Sequence, residues 1–217
     1  MNIKVCGITT LKQLQQLDGL EIDFAGLNFY KGSPRYVGEK ISRKEIQAAD
    51  FDIKKVGVFV DADYDDIMAI VGDYNLDVVQ LHGNESPELC HELADETEVI
   101  KVFRIGNDAN VDAMINEYDD VCDYYLFDSA PQAVTKGREE LAAFGGTGKQ
   151  FDWGILIKAK IEKPFFLSGG ISPEDVNKIN TFRHPDFFGI DLNSKFETAP
   201  GVKDMAKLLR FVKELKS

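Results

Sequence analysis

Apolar residues along the chain follow two alternating patterns. Short runs rich in β-branched and aromatic residues, such as 56–60, are apolar at nearly every position. This pattern is typical of strands that are covered on both faces of a parallel sheet. It predicts eight strands, at residues 3–8, 24–29, 55–60, 77–82, 99–105, 124–128, 164–168 and 187–192.

The segments between these runs have the spacing of amphipathic helices, as in Leu11, Leu14 and Leu17. The last helix is predicted from 202 to about 215, with Met205, Leu208, Leu209 and Val212 facing inward. N-cap residues or a first-turn proline precede many of the helices. These start signals are Thr9-Thr10, Ser42, Asp63, Ser86-Pro87, Ser172-Pro173 and Pro200-Gly201.

Eight strand–helix alternations in 217 residues average about 27 residues each, the spacing of compact βα units. This arithmetic favours a closed (β/α)8 TIM barrel, an α/β fold, as a single domain over 1–217. An open doubly wound sheet is the alternative, disfavoured because no Gly-x-Gly-x-x-Gly sequence follows a strand. The long irregular stretch 129–150 is predicted to be a lid or binding loop.

Composition and charge argue against several classes of function. A net charge of −12 argues against binding to nucleic acid or to an anionic membrane. No apolar run approaches the roughly 20 residues of a membrane span, and the first residues lack the features of a signal peptide. Three scattered cysteines make no disulfide framework, so a reducing, cytoplasmic setting is expected.

Polar residues stand where the strands are predicted to end, which is where TIM barrels carry their active sites. Glycines gather at the ends of strands six to eight, at 145–148 and at Gly169-Gly170, and Asn193-Ser194 follows strand eight. Glycine lets the backbone approach a ligand, and free N–H groups favour an anion. This corner therefore predicts a phosphate site that includes Gly146, Gly169, Gly170, Asn193 and Ser194.

Several motifs occur together and in order from residue 4 to residue 204. The most specific are Cys-Gly-Ile-Thr at 6–9, Ser-Pro-Arg at 33–35 and Gln-Leu-His-Gly at 80–83. Others are Phe-Asp-Ser at 127–129, the glycine-rich 145–153 and Ser-Gly-Gly at 168–170. Together they resemble the phosphoribosylanthranilate isomerase family of tryptophan biosynthesis.

The resemblance implies an Amadori rearrangement of N-(5-phosphoribosyl)anthranilate, a phosphorylated aminosugar, with no cofactor and no metal. It implies Cys6 as general base and Asp128 as general acid. Arg35 would bind the anthranilate carboxylate, and His82 and Asp191 would line the site. Because only a thiolate is basic, Cys6 is expected to need nearby positive charge, and Asp128 is expected to have a raised pKa through burial. The enzyme is expected as a monomer or a homodimer.

The turn after strand eight departs from the family. The usual sequence has two small hydroxyl residues and then a glycine after the aspartate, whereas Asn193 and Lys195 stand here at two of these positions. Ser194 is therefore the best expected phosphate contact.

The isomerase of the histidine pathway is an alternative function, disfavoured because that enzyme uses two aspartates. A non-catalytic sugar-phosphate binding protein and a Schiff-base aldolase are further alternatives.

Overall fold

The strands close on themselves. A computed structural model describes residues 1–106, 108–130 and 150–216. Eight parallel strands pair in chain order, and the last pairs with the first through Ile3 and Ile190. This closure confirms the TIM barrel and excludes the open sheet. The strands are β1 Asn2–Cys6, β2 Phe24–Asn28, β3 Lys54–Phe59, β4 Val78–Leu81, β5 Glu98–Ile105, β6 Tyr124–Ser129, β7 Phe165–Leu167 and β8 Phe187–Leu192.

Helices connect the strands, and four of them begin where the capping residues predict. The side chains of Thr10, Ser42, Asp63 and Ser86 each accept a backbone N–H from the first turn of their helix, which satisfies a donor that the helix itself cannot. No helix in the described ranges is long and apolar enough to cross a membrane. The helices are α1 Leu11–Asp18, α2 Arg43–Ala48, α3 Tyr64–Tyr74, α4 Pro87–Ala94, α5 Val111–Ile115, α6 Gly154–Lys158, α7 Val176–Thr181 and α8 Met205–Leu215.

The prediction for the last helix is wrong at its start. A short strand, β10 (Val202–Lys203), pairs antiparallel with β9 (Glu197–Ala199). Asp204 then caps α8 by accepting the N–H of Lys207. The inward face also differs, since Leu209 is exposed and Phe211 is buried in its place. The glycine after Pro200 therefore belongs to a hairpin turn and not to a helix start.

The barrel has two apolar layers. A small cluster fills its interior, and a larger core lies between the strands and the surrounding helices. Alternation along each strand sends successive side chains to these two layers. The interior cluster comprises Phe24, Val56, Val78, Ile100, Val102, Leu126 and Phe166.

An ion pair crosses the seam where the barrel closes. Lys4 on β1 lies 2.9 Å from Asp191 Oδ1 on β8, and the Lys4 side chain is fully buried. Ser168 Oγ donates to the other carboxylate oxygen at 3.3 Å. Two charges taken out of water are tolerated only when they are paired and hydrogen-bonded. The pair therefore ties the first strand to the last.

Replacing one partner of this pair should be costly. We expect Lys4→Met to lower the free energy of unfolding in urea by about 3–5 kcal/mol, because Asp191 is left as an uncompensated buried charge. The double variant Lys4→Met/Asp191→Leu should recover much of that loss. The control Lys54→Met removes a half-exposed pair with Glu98 and should cost under about 1 kcal/mol. Equal losses for the two lysine variants would contradict this account.

Candidate active site

A cavity opens at the carboxyl ends of the strands. Each of the predicted site residues that the structure describes lines it: Cys6, Arg35, His82, Asp128, Gly169, Gly170, Asp191, Asn193 and Ser194. Asn28, Ser33, Gln80 and Ser168 line it as well. Gly146, like residues 131–149 of the predicted loop, lies outside the described ranges. The chain thus brings together, from six strand ends, groups that are up to 188 residues apart in sequence.

Cys6 lies at the end of β1, and the glycine after it shapes the wall of the cavity. Gly7 has a φ of +81°, and a Cβ there would lie 2.6 Å from Arg35 Cδ. Any other residue would therefore be strained and would displace Arg35. On the neighbouring strand, a Cβ on Gly26 would lie 2.8 Å from the Cys6 sulfur, so that glycine makes room for the thiol.

Opposing influences act on the Cys6 thiol. Burial raises its pKa above the ordinary value of 9.0, and the negative charge of Asp191 acts in the same direction. The positive charges of Lys4, Lys203 and Arg35 lower it, but by less than burial and Asp191 together raise it. The cations expected from the sequence are present, yet the thiol is the favoured form in the free protein.

Asp128 ends β6 in a buried position. Its Oδ1 accepts the backbone N–H of Ser129 at 2.7 Å, and its Oδ2 faces His82 Nε2 at 3.6 Å. Burial raises the pKa of Asp128 from the ordinary value of 3.8 to about 6, against the lowering effects of the Ser129 N–H and of two cations. A carboxyl with this pKa retains a protonated fraction near neutrality, as a general acid requires.

Arg35 is held by a buried carboxylate. Its Nε and Nη2 donate to both oxygens of Glu197 at 2.6–3.1 Å, and Lys203 Nζ contacts the same carboxylate at 2.8 Å. The two cations lower the pKa of Glu197 in spite of its burial. A bidentate contact of this kind fixes the plane of the guanidinium. The Arg35 side chain lines the cavity in that fixed orientation.

The expected phosphate corner has the backbone that the glycines predict. Gly169 and Gly170 follow β7 with φ values of +87° and +66°, and a Cβ on Gly169 would collide with the Ser129 hydroxyl. A 3₁₀ turn, Ser194–Phe196, begins directly after Asn193. Lys195, the departure from the family, is exposed and lines a second depression beside Lys207.

Sequence reasoning assigns no role to Lys4, Gln80 or Lys203. Alternation along a strand holds a signal for the first two, because Lys4 lies two residues before Cys6 and Gln80 two before His82, on the same faces. Lys203 carries no such signal. It reaches the site because it lies on β10, which pairs with β9. The sequence pattern assigns this segment to the last helix, so the position of Lys203 could not be predicted.

Comparison with known proteins decides the family. The family model described as N-(5'phosphoribosyl)anthranilate (PRA) isomerase matches residues 3–214. The chain belongs to the PRA isomerase family. It is therefore an enzyme, an isomerase of tryptophan biosynthesis, as the motifs predict.

Individual relatives agree along the whole chain. A protein of Parabacteroides distasonis named N-(5'-phosphoribosyl)anthranilate isomerase is 43% identical over 219 residues, covering 99% of this chain and 93% of that protein. A relative of the same name from Phocaeicola vulgatus is 36% identical, with 100% and 98% covered. The crystal structure of phosphoribosyl anthranilate isomerase from Thermotoga maritima superposes with a TM-score of 0.82 at 31% identity, covering 100% and 98%.

The pKa of Asp128 predicts how the stability of an uncharged variant depends on pH. The folded-state pKa of about 6 exceeds the ordinary 3.8, so Asp128 contributes stability below about pH 4 that is lost as the pH rises through about 6. Asparagine does not titrate. Relative to the wild type, Asp128→Asn should thus gain up to about 3 kcal/mol of unfolding free energy between about pH 4 and 8.

Urea unfolding across that pH range measures the difference. The control is Asp65→Asn, an exposed position on α3. A difference between Asp128→Asn and wild type that stays constant with pH would mean that the Asp128 pKa is not raised.

Proposed function

We propose that the enzyme converts N-(5'-phosphoribosyl)anthranilate into the corresponding 1-amino-1-deoxyribulose 5-phosphate, with Cys6 as general base and Asp128 as general acid. The observation that carries the proposal is that a thiol on β1 and a carboxyl of raised pKa on β6 border one cavity. A related structure, 28% identical with a TM-score of 0.79, is a PRA isomerase in complex with reduced 1-(o-carboxyphenylamino)-1-deoxyribulose 5-phosphate. That ligand supports the substrate class.

The first step opens the sugar ring. Asp128 gives its proton to the ring oxygen, the bond between C1 and that oxygen breaks, and the nitrogen lone pair forms the C=N bond of a protonated Schiff base. A carboxyl with a pKa near 6 suits this step, because it is protonated often enough to act and acidic enough to release the proton.

The second step removes the proton from C2. The Cys6 thiolate accepts that proton, and the electrons of the C–H bond move toward the iminium nitrogen to give an enolamine. The enol then tautomerises to the ketone: C1 gains a proton, the C2 hydroxyl loses its own, and the C=C bond is replaced by C=O. C1 is reduced and C2 oxidised within one molecule, so the overall reaction needs no external oxidant, reductant or cofactor.

The remaining residues hold the substrate. Arg35 binds the anthranilate carboxylate, for which a planar guanidinium already oriented by Glu197 is suited. Gly169, Gly170, Asn193 and Ser194, with Gly146, contribute to the phosphate site, while His82 and Asp191 face the sugar.

We place the enzyme in the cytoplasm on the strength of its three cysteines, which are free in the structure. One related enzyme is described as dimeric; for this chain a monomer or homodimer stays a prediction.

Loss of either proposed proton-transfer group should strongly slow turnover. Cys6→Ala and Asp128→Asn should each lower kcat by about 10²–10⁴-fold and leave affinity for a product analogue nearly unchanged. Loss of the anthranilate-adduct fluorescence measures turnover. The control is Cys90→Ala, which removes another buried cysteine, on α4. Near-normal turnover in either active-site variant would refute its assignment.

The two pKa shifts also predict the pH profile of kcat/KM. With the acid at about 6 and the base above 9.0, the productive form has a thiolate and a neutral carboxyl at once and is a minority at every pH. Its fraction rises up to about pH 6, stays level, and falls only above the pKa of Cys6.

Thiolate absorbance in the ultraviolet, taken as the difference between wild type and Cys6→Ala, locates the Cys6 pKa independently of turnover. If kcat/KM instead fell tenfold per pH unit from about pH 6 upward, Cys6 would be a thiolate in the free enzyme, contrary to the raised pKa.

A further inference from the structure

Gln80 lies deep in the cavity and has no role in the proposed chemistry. Its side chain is 1% exposed and points into the barrel from β4, two residues before His82. Its carboxamide Nε2 lies 3.1 Å from His82 Nδ1. Its Oε1 has no hydrogen-bond partner within the described residues, so the contact with the histidine accounts for the orientation of the amide.

This contact favours one tautomer of His82. A carboxamide nitrogen only donates, so an amide that turns its nitrogen to Nδ1 requires a lone pair there and places the ring proton on Nε2. Burial lowers the pKa of His82 to about 3, aided by the positive charges of Arg104, Lys4 and Lys101. The ring is therefore neutral, with a single N–H.

That N–H faces the proposed acid. His82 Nε2 is 3.6 Å from Asp128 Oδ2, a gap that a small ring rotation closes, as catalytic contacts often tighten once substrate is bound. The opposite tautomer would direct a lone pair at the carboxyl group. Such a nitrogen would repel the carboxylate, or it would accept a hydrogen bond from the protonated carboxyl and turn that proton away from the substrate. The other charged groups acting on Asp128 are Asp191, Lys4 and Arg104.

We propose that Gln80 is a positioning residue that acts through His82. Its hydrogen bond holds His82 in the Nε2–H tautomer, which orients the Asp128 carboxyl and reserves its proton for the substrate. The proposal rests on the function assigned above to Asp128. The ring tautomer, however, is measurable without any turnover, so the two proposals fail separately.

The first test reads the tautomer by ¹⁵N NMR of labelled histidine. The chain has only three histidines, and a His82→Gln spectrum assigns the signal of His82. In the wild type we expect an unprotonated Nδ1 and a protonated Nε2. Gln80→Met, which has no donor, should give a mixture of tautomers, and the nearly isosteric Gln80→Glu should move the proton to Nδ1. A protonated Nδ1 in the wild type would overturn the proposal.

The second test separates positioning from packing. Gln80→Met should lower kcat about tenfold with KM little changed. In a His82→Gln background, where no ring tautomer exists, the same change should lower kcat less than about twofold, because the coupled partner is gone. Equal losses in both backgrounds would mean that Gln80 only fills space and would overturn the proposal. The control is Gln47→Met, which removes an exposed glutamine bonded to α3 carbonyl groups.

Discussion

The buried ion pair between Lys4 and Asp191 is the interaction that connects the closure of the barrel with the chemistry of its site. It joins β1 to β8, the two strands whose pairing converts a row of βα units into a closed ring. It also places a cation directly below Cys6 and an anion at the wall of the cavity. The same two charges therefore help to close the fold and set the electrostatic environment of the chemistry.

Burial raises the pKa of both proposed proton-transfer groups, but it helps only one of them. Keeping water out favours the neutral form of both. For Asp128 this is an advantage, because an acid must hold its proton. For Cys6 it is an obstacle, because a base must lose its own, and Lys4, Lys203 and Arg35 offset the obstacle only in part. Burial and the placement of charges thus give the two groups different pKa values within one cavity, without giving the thiol a favourable ionisation state.

Much of the fold could be predicted from sequence, because a strand covered on both faces needs an unbroken apolar run and a helix start needs a cap. The start of α8 could not, since the pairing of β9 with β10 is set by contacts that no local pattern records. The site residues differ in the same way in how far a local pattern reveals them. Cys6, His82 and Asp128 stand at strand ends and are visible as such. Alternation puts Gln80 on the same face of its strand as His82, but the contact between the two side chains appears only when their distance is known.

The departure after β8 shows how the site accommodates a different sequence. Asn193 has its side-chain oxygen 2.9 Å from Lys203 Nζ, a contact that the shorter side chain of a serine would not reach in the same way. That lysine also binds Glu197, and Glu197 orients Arg35. Asn193 thus joins the network that fixes the expected carboxylate-binding group, while Lys195 stays at the surface. A substitution at the expected phosphate corner is in this way coupled to Arg35, the proposed carboxylate-binding residue, because one buried lysine contacts both Asn193 and Glu197.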